Sequence, residues 1–304
     1  MWFPLLRRAR LPFRRERFPT RDGDFVDLDW VDGPATSPLL VILHGLEGSS
    51  GSHYVSGLCA LAKARAWRAV TLNFRSCSGE PNRRPRFYHA GDTDDFDEVL
   101  GAVIAREPAI RVGAVGISIG GNVLLKWLGE RGAEAPKQLL AAVAISVPFD
   151  LVASAAALDR GFERLVYTGN FLRTFRTKVR AKALTYPGFV DVEAALRART
   201  FREYDRAVTA PLHGFADERD YWVRASSKPW LERIRRPTLL IAARDDPFVP
   251  AESLPDLATL PACVHAEFVV RGGHVGFVDG RWPWRATSWA ELRAIGFLSE
   301  RLLG

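Results

Sequence analysis

The 304-residue sequence contains little cysteine, with three residues in the whole chain. Cys59, Cys77 and Cys263 are widely spaced and form no C-x-x-C pair, so neither a disulfide framework nor a zinc site is expected. The chain also lacks any apolar run near the ~20 residues of a membrane-spanning helix. No secretory leader is expected, because arginines follow residues 1–6 directly and no small-residue cleavage site appears. These absences favour a cytoplasmic protein.

Internal repeats and low-complexity segments are also absent from the sequence. The chain length suits one large α/β domain with room for an inserted cap. Charge, by contrast, is abundant and unevenly placed, since the formal net charge is +7 and six arginines fall within residues 7–17. The predicted division therefore begins with a basic N-terminal arm over residues 1–20.

Three interpretations of this arm remain open. It is a solvated basic segment, a peripheral contact with an anionic membrane, or a nucleic-acid contact. Tryptophan and phenylalanine at positions 2 and 3 would suit the headgroup region of a membrane, with the arginines on anionic lipid. No nucleic-acid recognition motif follows the arm, so nucleic acid is not expected as a partner.

A Gly-x-Ser-x-Gly pentapeptide at residues 116–120 is the most informative motif. Residues 111–117 have the apolar character of a buried strand, and residues 120–132 have that of a helix. A strand, a tight turn and a helix are the context of a nucleophile elbow, which exposes the serine hydroxyl above the sheet. Ser118 is therefore the candidate nucleophile.

A serine nucleophile needs a histidine base, and the acid and histidine follow the serine in chain order in α/β hydrolases. Only His265 and His274 come late enough, and His265 falls within an apolar, strand-like run. His274 follows two glycines in a turn beyond that run, which suits a catalytic histidine better than core packing. The sequence predicts His274 as the base.

The acid is expected where the strand predicted over residues 238–243 ends, because catalytic groups of α/β sheets gather at the carboxyl ends of strands. Asp245 and Asp246 compete for this role. Adjacent side chains at a strand end face opposite ways. We favour Asp246, which lies four residues before Pro250, with Asp245 as the alternative that bonds the local turn.

Two backbone N–H groups are candidates for an oxyanion hole. The apolar run at residues 39–43 ends in His44-Gly45, and a turn of this kind supplies the N–H of the next residue, Leu46. The second donor is the N–H of Ile119, directly after the nucleophile. These donors would stabilise a tetrahedral oxyanion.

Apolar runs alternate with helical stretches along most of the chain, which predicts βαβ units and a mainly parallel central sheet flanked by helices. Residues 148–236 instead show several helical periods and no clear strand. The predicted division is an α/β-hydrolase core at 21–147 and 237–304 with a helical cap at 148–236. Aromatic residues expected either to line a pocket under the cap or to form the cap's own core are Phe149, Phe162, Tyr167, Phe171, Phe215, Tyr221 and Trp222.

Other polar residues have both structural and functional interpretations. Arg75 would contact substrate or, in the favoured interpretation, form a buried ion pair. His89 and Asp92 lack a third ligand at a suitable spacing, so no metal is expected, and Asp92 or Thr93 would cap the next helix. Glu47 would either bond the proposed oxyanion turn or disturb it electrostatically.

The chain resembles the YheT-like branch of the α/β hydrolases, a group of esterase and lipase-type proteins. The resemblance implies a serine-dependent carboxylic ester hydrolase, with Ser118, Asp246 and His274 at the triad positions. Ser76 stands where the pattern usually has glycine, and relatives usually have a longer N-terminus. The segments that carry the resemblance extend from about residue 21 to the C-terminus and include residues 44–49, 73–80, 88–93, 116–122, 209–215, 245–248 and 272–274.

The expected function is hydrolysis of short- to medium-chain acyl esters or of acylglycerol or lipid-like substrates, with no cofactor. Two alternatives remain. One is an acyltransferase that uses the same triad, and the other is a non-catalytic binding protein on a hydrolase scaffold. The sequence specifies neither the physiological substrate nor the oligomeric state.

Overall fold

A computed structural model describes residues 11–161, 164–279 and 287–303. Its centre is a sheet of eight strands in the order β1-β2-β4-β3-β5-β6-β7-β8. The pairs β1–β2 and β2–β4 are antiparallel, and the other pairs are parallel. The strands are β1 (Arg14–Pro19), β2 (Phe25–Val31), β3 (Leu39–Leu43), β4 (Arg68–Asn73), β5 (Val112–Ile117), β6 (Leu139–Ile145), β7 (Thr238–Ala243) and β8 (Val264–Val269).

Helices cover both faces of the sheet, and a further group of helices lies between β6 and β7 in the chain. No helix in the described ranges is both long enough and apolar enough to cross a membrane. The helices are α1 (His53–Lys63), α2 (Asp94–Arg106), α3 (Ile119–Arg131), α4 (Leu151–Leu158), α5 (Gly169–Thr185), α6 (Val192–Arg197), α7 (Phe201–Tyr204), α8 (Ala210–His213), α9 (Glu218–Ala225) and α10 (Trp289–Leu302).

The core consists of two main apolar clusters, one on each face of the sheet. Helices α2 and α3 pack in one cluster, and α1 and α10 pack in the other. Parallel strands β3, β5, β6 and β7 are wholly buried apart from Leu140, which explains why they are continuous apolar runs in the sequence. Because these strands run the same way, the loops that follow them meet at one edge of the sheet.

The predicted mainly parallel sheet is confirmed, and strands β3 and β7 have the predicted limits. The predicted basic arm at residues 1–20 is wrong in its second half, because Arg14–Pro19 forms the edge strand β1. Its arginines pair with aspartates on or next to β2 rather than facing solvent freely. The pairs are Arg14–Asp32 at 2.9 Å, Arg15–Asp29 at 2.8 Å and Arg17–Asp27 at 2.9 Å.

The segment between β6 and β7 consists of helices joined by short loops and turns, as its sequence pattern predicts, and its described residues contain no strand. Two short π-helical segments, Arg164–Thr168 and Asp205–Thr209, interrupt its helices. The cap limits at residues 148 and 236 stay a prediction. After β7, Ala251–Ser253 forms a single 3₁₀ turn.

Candidate active site

Ser118 occupies a sharp turn between β5 and α3. Its backbone has φ 53° and ψ −123°, an unusual conformation for a residue with a side chain. The turn closes because Gly116 and Gly120 have no Cβ. A Cβ on Gly116 would lie 2.5 Å from the Gly120 oxygen, and one on Gly120 would lie 2.4 Å from the Leu43 oxygen. The glycines of the pentapeptide therefore permit the close packing that presents Ser118.

Ser118, His274 and Asp246 are joined in one hydrogen-bonded chain. The His274 Nε2 lies 3.0 Å from the Ser118 Oγ, and its Nδ1 lies 2.9 Å from the Asp246 Oδ2. An ionised carboxylate only accepts, so Nδ1 carries the proton and Nε2 is free to accept from the serine. This arrangement can take a proton from Ser118 as the hydroxyl attacks a carbonyl.

Asp245 points away from the imidazole. Its Oδ1 accepts hydrogen bonds of 2.8 Å from the N–H groups of Gly272 and Gly273, which lie directly before His274. Asp246 is buried, with 5% of its surface exposed, and lies against the histidine. The two adjacent carboxylates thus have separate contacts, one with the backbone of the histidine loop and the other with the imidazole.

Two contacts that no sequence motif predicts hold the His274 loop. The Phe248 ring stacks on the imidazole with centroids 4.1 Å apart. The Ser146 hydroxyl, at the end of β6, accepts a 3.1 Å hydrogen bond from the Val275 N–H. Phe248 directly follows Asp246-Pro247 in the sequence. This closeness to the candidate acid is the sequence signal that could have placed Phe248 near His274.

The turn after β3 places the N–H of Leu46 between two anchored neighbours. The Gly45 N–H donates to the Tyr54 hydroxyl at 3.0 Å, and the Glu47 N–H donates to the Tyr88 hydroxyl at 2.8 Å. On the other side, Ile119 is the first residue of α3, where an N–H has no acceptor within the helix. Leu46, Ile119 and Ser118 all border the same cavity.

His44 supports this turn and lies outside the proton-transfer chain. Its Nε2 accepts a 3.0 Å hydrogen bond from the Phe74 N–H, so its Nδ1 carries the proton and donates to the Gly45 oxygen at 2.8 Å. Burial lowers the pKa of His44 to about 4, which keeps the ring neutral near pH 7.

A cavity of about 320 Å³ opens beside Ser118 and His274. It lies between the carboxyl edge of the sheet and the helices that follow β6, and most of its lining is apolar. Such a volume is within the range of small-molecule sites. Aromatic side chains form much of its wall, some from the segments that follow β3, β4 and β7 and the others from the helical segment between β6 and β7. They are Tyr54, Phe87, Tyr88, Phe171, Phe175, Phe201, Tyr204, Tyr221, Trp222 and Phe248.

Of the aromatic residues proposed for the pocket, Phe171, Tyr221 and Trp222 line this cavity. Phe149 is fully buried in the core, and Tyr167 packs against the ring of Phe248. Phe215 packs against Tyr221 outside the lining, and Phe162 lies outside the described residues. Helical period could not distinguish these cases, because Phe149 and Phe215 lie in loops between the regular elements.

His89 borders the cavity together with His213, the two rings being 4.4 Å apart. Burial lowers the pKa of His89 to about 3 and that of His213 to about 2, so both are neutral. Asp92 pairs with Arg86 instead of capping α2. Thr93 stands at the cap position but its hydroxyl donates to Glu130, so the predicted side-chain cap is wrong. No group of three metal-ligating side chains occurs in the described part of the chain.

Arg75 lies in a buried cluster of ion pairs, as the favoured interpretation of the sequence predicted. Its guanidinium contacts Asp95 at 2.6 Å, Asp22 at 2.8 Å and Asp24 at 3.1 Å. Burial raises the pKa of Asp95 to about 6 despite this contact. The neighbouring Ser76 has a left-handed φ of 63°, a conformation that glycine adopts more readily than serine.

We expect Arg75→Leu to lower the free energy of unfolding by about 3–5 kcal/mol, because buried carboxylates would lose their counter-ion. Arg14→Leu is the matched control, since Arg14 and Asp32 are largely exposed and such pairs contribute about 0–1 kcal/mol. Urea denaturation of both variants measures the difference. Equal losses in the two variants would contradict the structural role assigned to Arg75.

The fold and sequence pattern define the class of protein. The pattern of the α/β hydrolase fold family matches residues 38–281. Among solved structures, the esterase Pf2001 of Pyrococcus furiosus superposes with a TM-score of 0.61, covering 96% of this chain and 93% of that one. Its sequence identity is 16%, so this likeness concerns the fold alone.

Curated relatives place the chain more narrowly. YheT of Escherichia coli strain K12, provisionally named as an esterase, is 41% identical over 270 residues, which are 87% of this chain and 78% of that protein. Phospholipase ABHD3 of Mus musculus is 30% identical, covering 90% of this chain and 69% of that protein. The chain therefore belongs to the α/β-hydrolase family, in its YheT-like branch.

Proposed function

We propose that this protein is a serine hydrolase that cleaves carboxylic esters through an acyl-enzyme on Ser118. The observation that carries the proposal is the hydrogen-bonded chain of Ser118, His274 and Asp246 at the wall of an apolar cavity. Relatives named as esterase and phospholipase support the same class of reaction. Neither a cofactor nor a metal is required by this chemistry.

In the proposed reaction, the Ser118 oxygen attacks the ester carbonyl while His274 Nε2 takes the hydroxyl proton. The N–H groups of Leu46 and Ile119 stabilise the oxyanion, and Asp246 stabilises the imidazolium. His274 then returns the proton to the leaving alcohol. In the second half, His274 takes a proton from water as the water oxygen attacks the acyl-enzyme, and it then gives this proton to the Ser118 oxygen as the acyl bond breaks and the carboxylic acid leaves.

We propose further that the segment at residues 148–236 acts as a cap that shapes the acyl site. Its helices contribute Leu151, Phe171 and Trp222 to the cavity wall. An apolar enclosure excludes water and favours an acyl chain over a polar substituent. A volume of about 320 Å³, near the lower limit for ligand sites, suits short- to medium-chain acyl groups.

Fluorophosphonate labelling of the purified chain, followed by p-nitrophenyl esters from acetate to palmitate, tests this proposal. We expect rapid labelling and the highest turnover between butyrate and decanoate, because longer chains exceed the cavity. Added alcohols would divert the acyl group into new esters if the protein is an acyltransferase. A folded protein that is neither labelled nor active on any ester would favour the binding-protein alternative.

We also propose a cytoplasmic location, supported by three cysteines that are all free. The proposed membrane contact of the N-terminal arm concerns residues 1–10, which lie outside the described residues, because Arg14, Arg15 and Arg17 pair with aspartates. We expect deletion of residues 2–10 to reduce co-sedimentation with anionic liposomes while leaving β1 in place. Equal co-sedimentation of the full and shortened chains would exclude this contact.

A further inference from the structure

One ion pair interrupts the apolar wall of the cavity. The Lys178 ammonium, from α5, lies 2.7 Å from the Glu47 Oε1. Glu47 belongs to the turn after β3, next to the proposed oxyanion donor Leu46. Both charges are largely buried, with 7% of the Glu47 side chain and 19% of the Lys178 side chain exposed. A charge pair at this place connects the helices of the proposed cap to the oxyanion turn.

Tyr88 completes the contacts of Glu47. Its hydroxyl accepts the Glu47 N–H at 2.8 Å and lies 2.9 Å from the Glu47 Oε1, to which it donates. Burial raises the pKa of Tyr88 well above its usual value, so the hydroxyl keeps the proton that it donates. The ring stacks on Phe74 with centroids 5.0 Å apart, and the Phe74 N–H bonds His44. Tyr88 is therefore fixed from two sides.

The backbone of Glu47 needs such support. Its φ is 54°, in the left-handed region that residues with a side chain seldom adopt. Unfavourable backbone conformations of this kind persist where several surrounding contacts hold the residue in place. Here the N–H and the carboxylate of the same residue are held together by one tyrosine, and Lys178 balances the carboxylate's charge. The Leu46 N–H lies in the peptide unit before the one that joins Leu46 to Glu47, so a backbone shift at Glu47 reaches this N–H through the Leu46 Cα.

We propose that Glu47, Tyr88 and Lys178 form a positioning network that aligns the Leu46 N–H with the oxyanion and couples this alignment to the docking of α5. The inference rests on the proposed esterase function. None of the three residues takes part in bond making; they act through the backbone of the oxyanion turn. Loss of the network leaves the acyl cavity and the triad in place but weakens stabilisation of the tetrahedral intermediate.

Cys77 is the other neighbour of this network. Its Sγ lies 3.4 Å from the Lys178 Nζ and 4.0 Å from the Glu47 Oε1. Burial raises the pKa of the thiol to about 12, so it remains uncharged and the carboxylate stays the counter-ion of Lys178. The Lys178 charge is therefore balanced by the Glu47 carboxylate, in the oxyanion turn, and not by the thiol.

Lys178→Met and Tyr88→Phe test the network, because each removes a polar contact while keeping most of the side-chain volume. Losing a whole oxyanion donor costs about 10²–10³ in turnover, so we expect misalignment to cost about 10-fold in Lys178→Met and about 10- to 100-fold in Tyr88→Phe. KM should change less than about threefold, as for an interaction made only in the transition state. The rate of fluorophosphonate labelling should fall together with kcat, since the phosphoryl oxygen occupies the oxyanion position.

Lys182→Met is the matched control. Lys182 lies one turn further along α5 and is also buried, but its ammonium bonds the backbone oxygen of Asn82 at 2.5 Å, away from the oxyanion turn. This variant should keep the wild-type kcat even if its thermal midpoint falls. Wild-type kcat in Lys178→Met and Tyr88→Phe, or an equal loss in all three variants, would overturn the positioning role while leaving the esterase function intact. An unlabelled, inactive wild type would instead defeat the esterase proposal itself.

Discussion

Ser118→Ala is expected to lower the turnover of p-nitrophenyl esters by about 10⁴–10⁶-fold, as in other enzymes that lose a triad nucleophile. The alanine removes the Ser118 Oγ, which lies 3.0 Å from the His274 Nε2. The backbone turn should persist, because the close approaches of Gly116 and Gly120 are unaffected. Steady-state kinetics and loss of fluorophosphonate labelling measure the effect.

Ser299→Ala supplies the control for this substitution. Ser299 lies in α10, and its hydroxyl donates to the Ile295 oxygen within the same helix. It should retain wild-type turnover and labelling, and both variants should keep the wild-type circular dichroism spectrum. If Ser118→Ala retained near wild-type turnover, the acyl-enzyme mechanism would be wrong and another nucleophile would be needed.

The sheet could be predicted from the sequence because its central strands are buried on both faces. Burial on both faces makes β3 and β7 continuous apolar runs, and such runs have clear ends. The edge strand β1 has the opposite property. Its sequence Arg-Arg-Glu-Arg-Phe-Pro shows no apolar alternation, since ion pairs across the sheet replace apolar contacts. Hydrophobic periodicity therefore missed β1.

The positions of Ser118 and His274 could be predicted because each carries a local signal, a glycine-flanked turn after an apolar strand. Glu47, Tyr88 and Lys178 carry no such signal. They come from three distant parts of the chain and meet only after α5 docks over the sheet edge. The residues that line the cavity could not be predicted from the sequence either, because neighbouring aromatic residues of one helix can face either the core or the cavity.

Asp246→Asn is expected to lower kcat by about 10⁴-fold, in line with the same change in other serine triads. The His274 Nδ1 is bonded to both carboxylate oxygens of Asp246, at 2.9 and 3.0 Å. An asparagine there presents an amide that can donate to Nδ1, which would place the proton on Nε2 and prevent it from accepting the Ser118 proton. The loss should appear in kcat with little change in KM.

Asp245→Asn separates the two adjacent aspartates. Asp245 only accepts the N–H groups of Gly272 and Gly273, and an asparagine Oδ1 can accept the same two bonds. This variant should therefore retain most of the wild-type turnover, although both substitutions remove one negative charge from the same loop. Because the charge change is shared, a large loss in Asp246→Asn alone would identify the contact with His274 as the cause. A large loss in Asp245→Asn with an active Asp246→Asn would reassign the acid to Asp245.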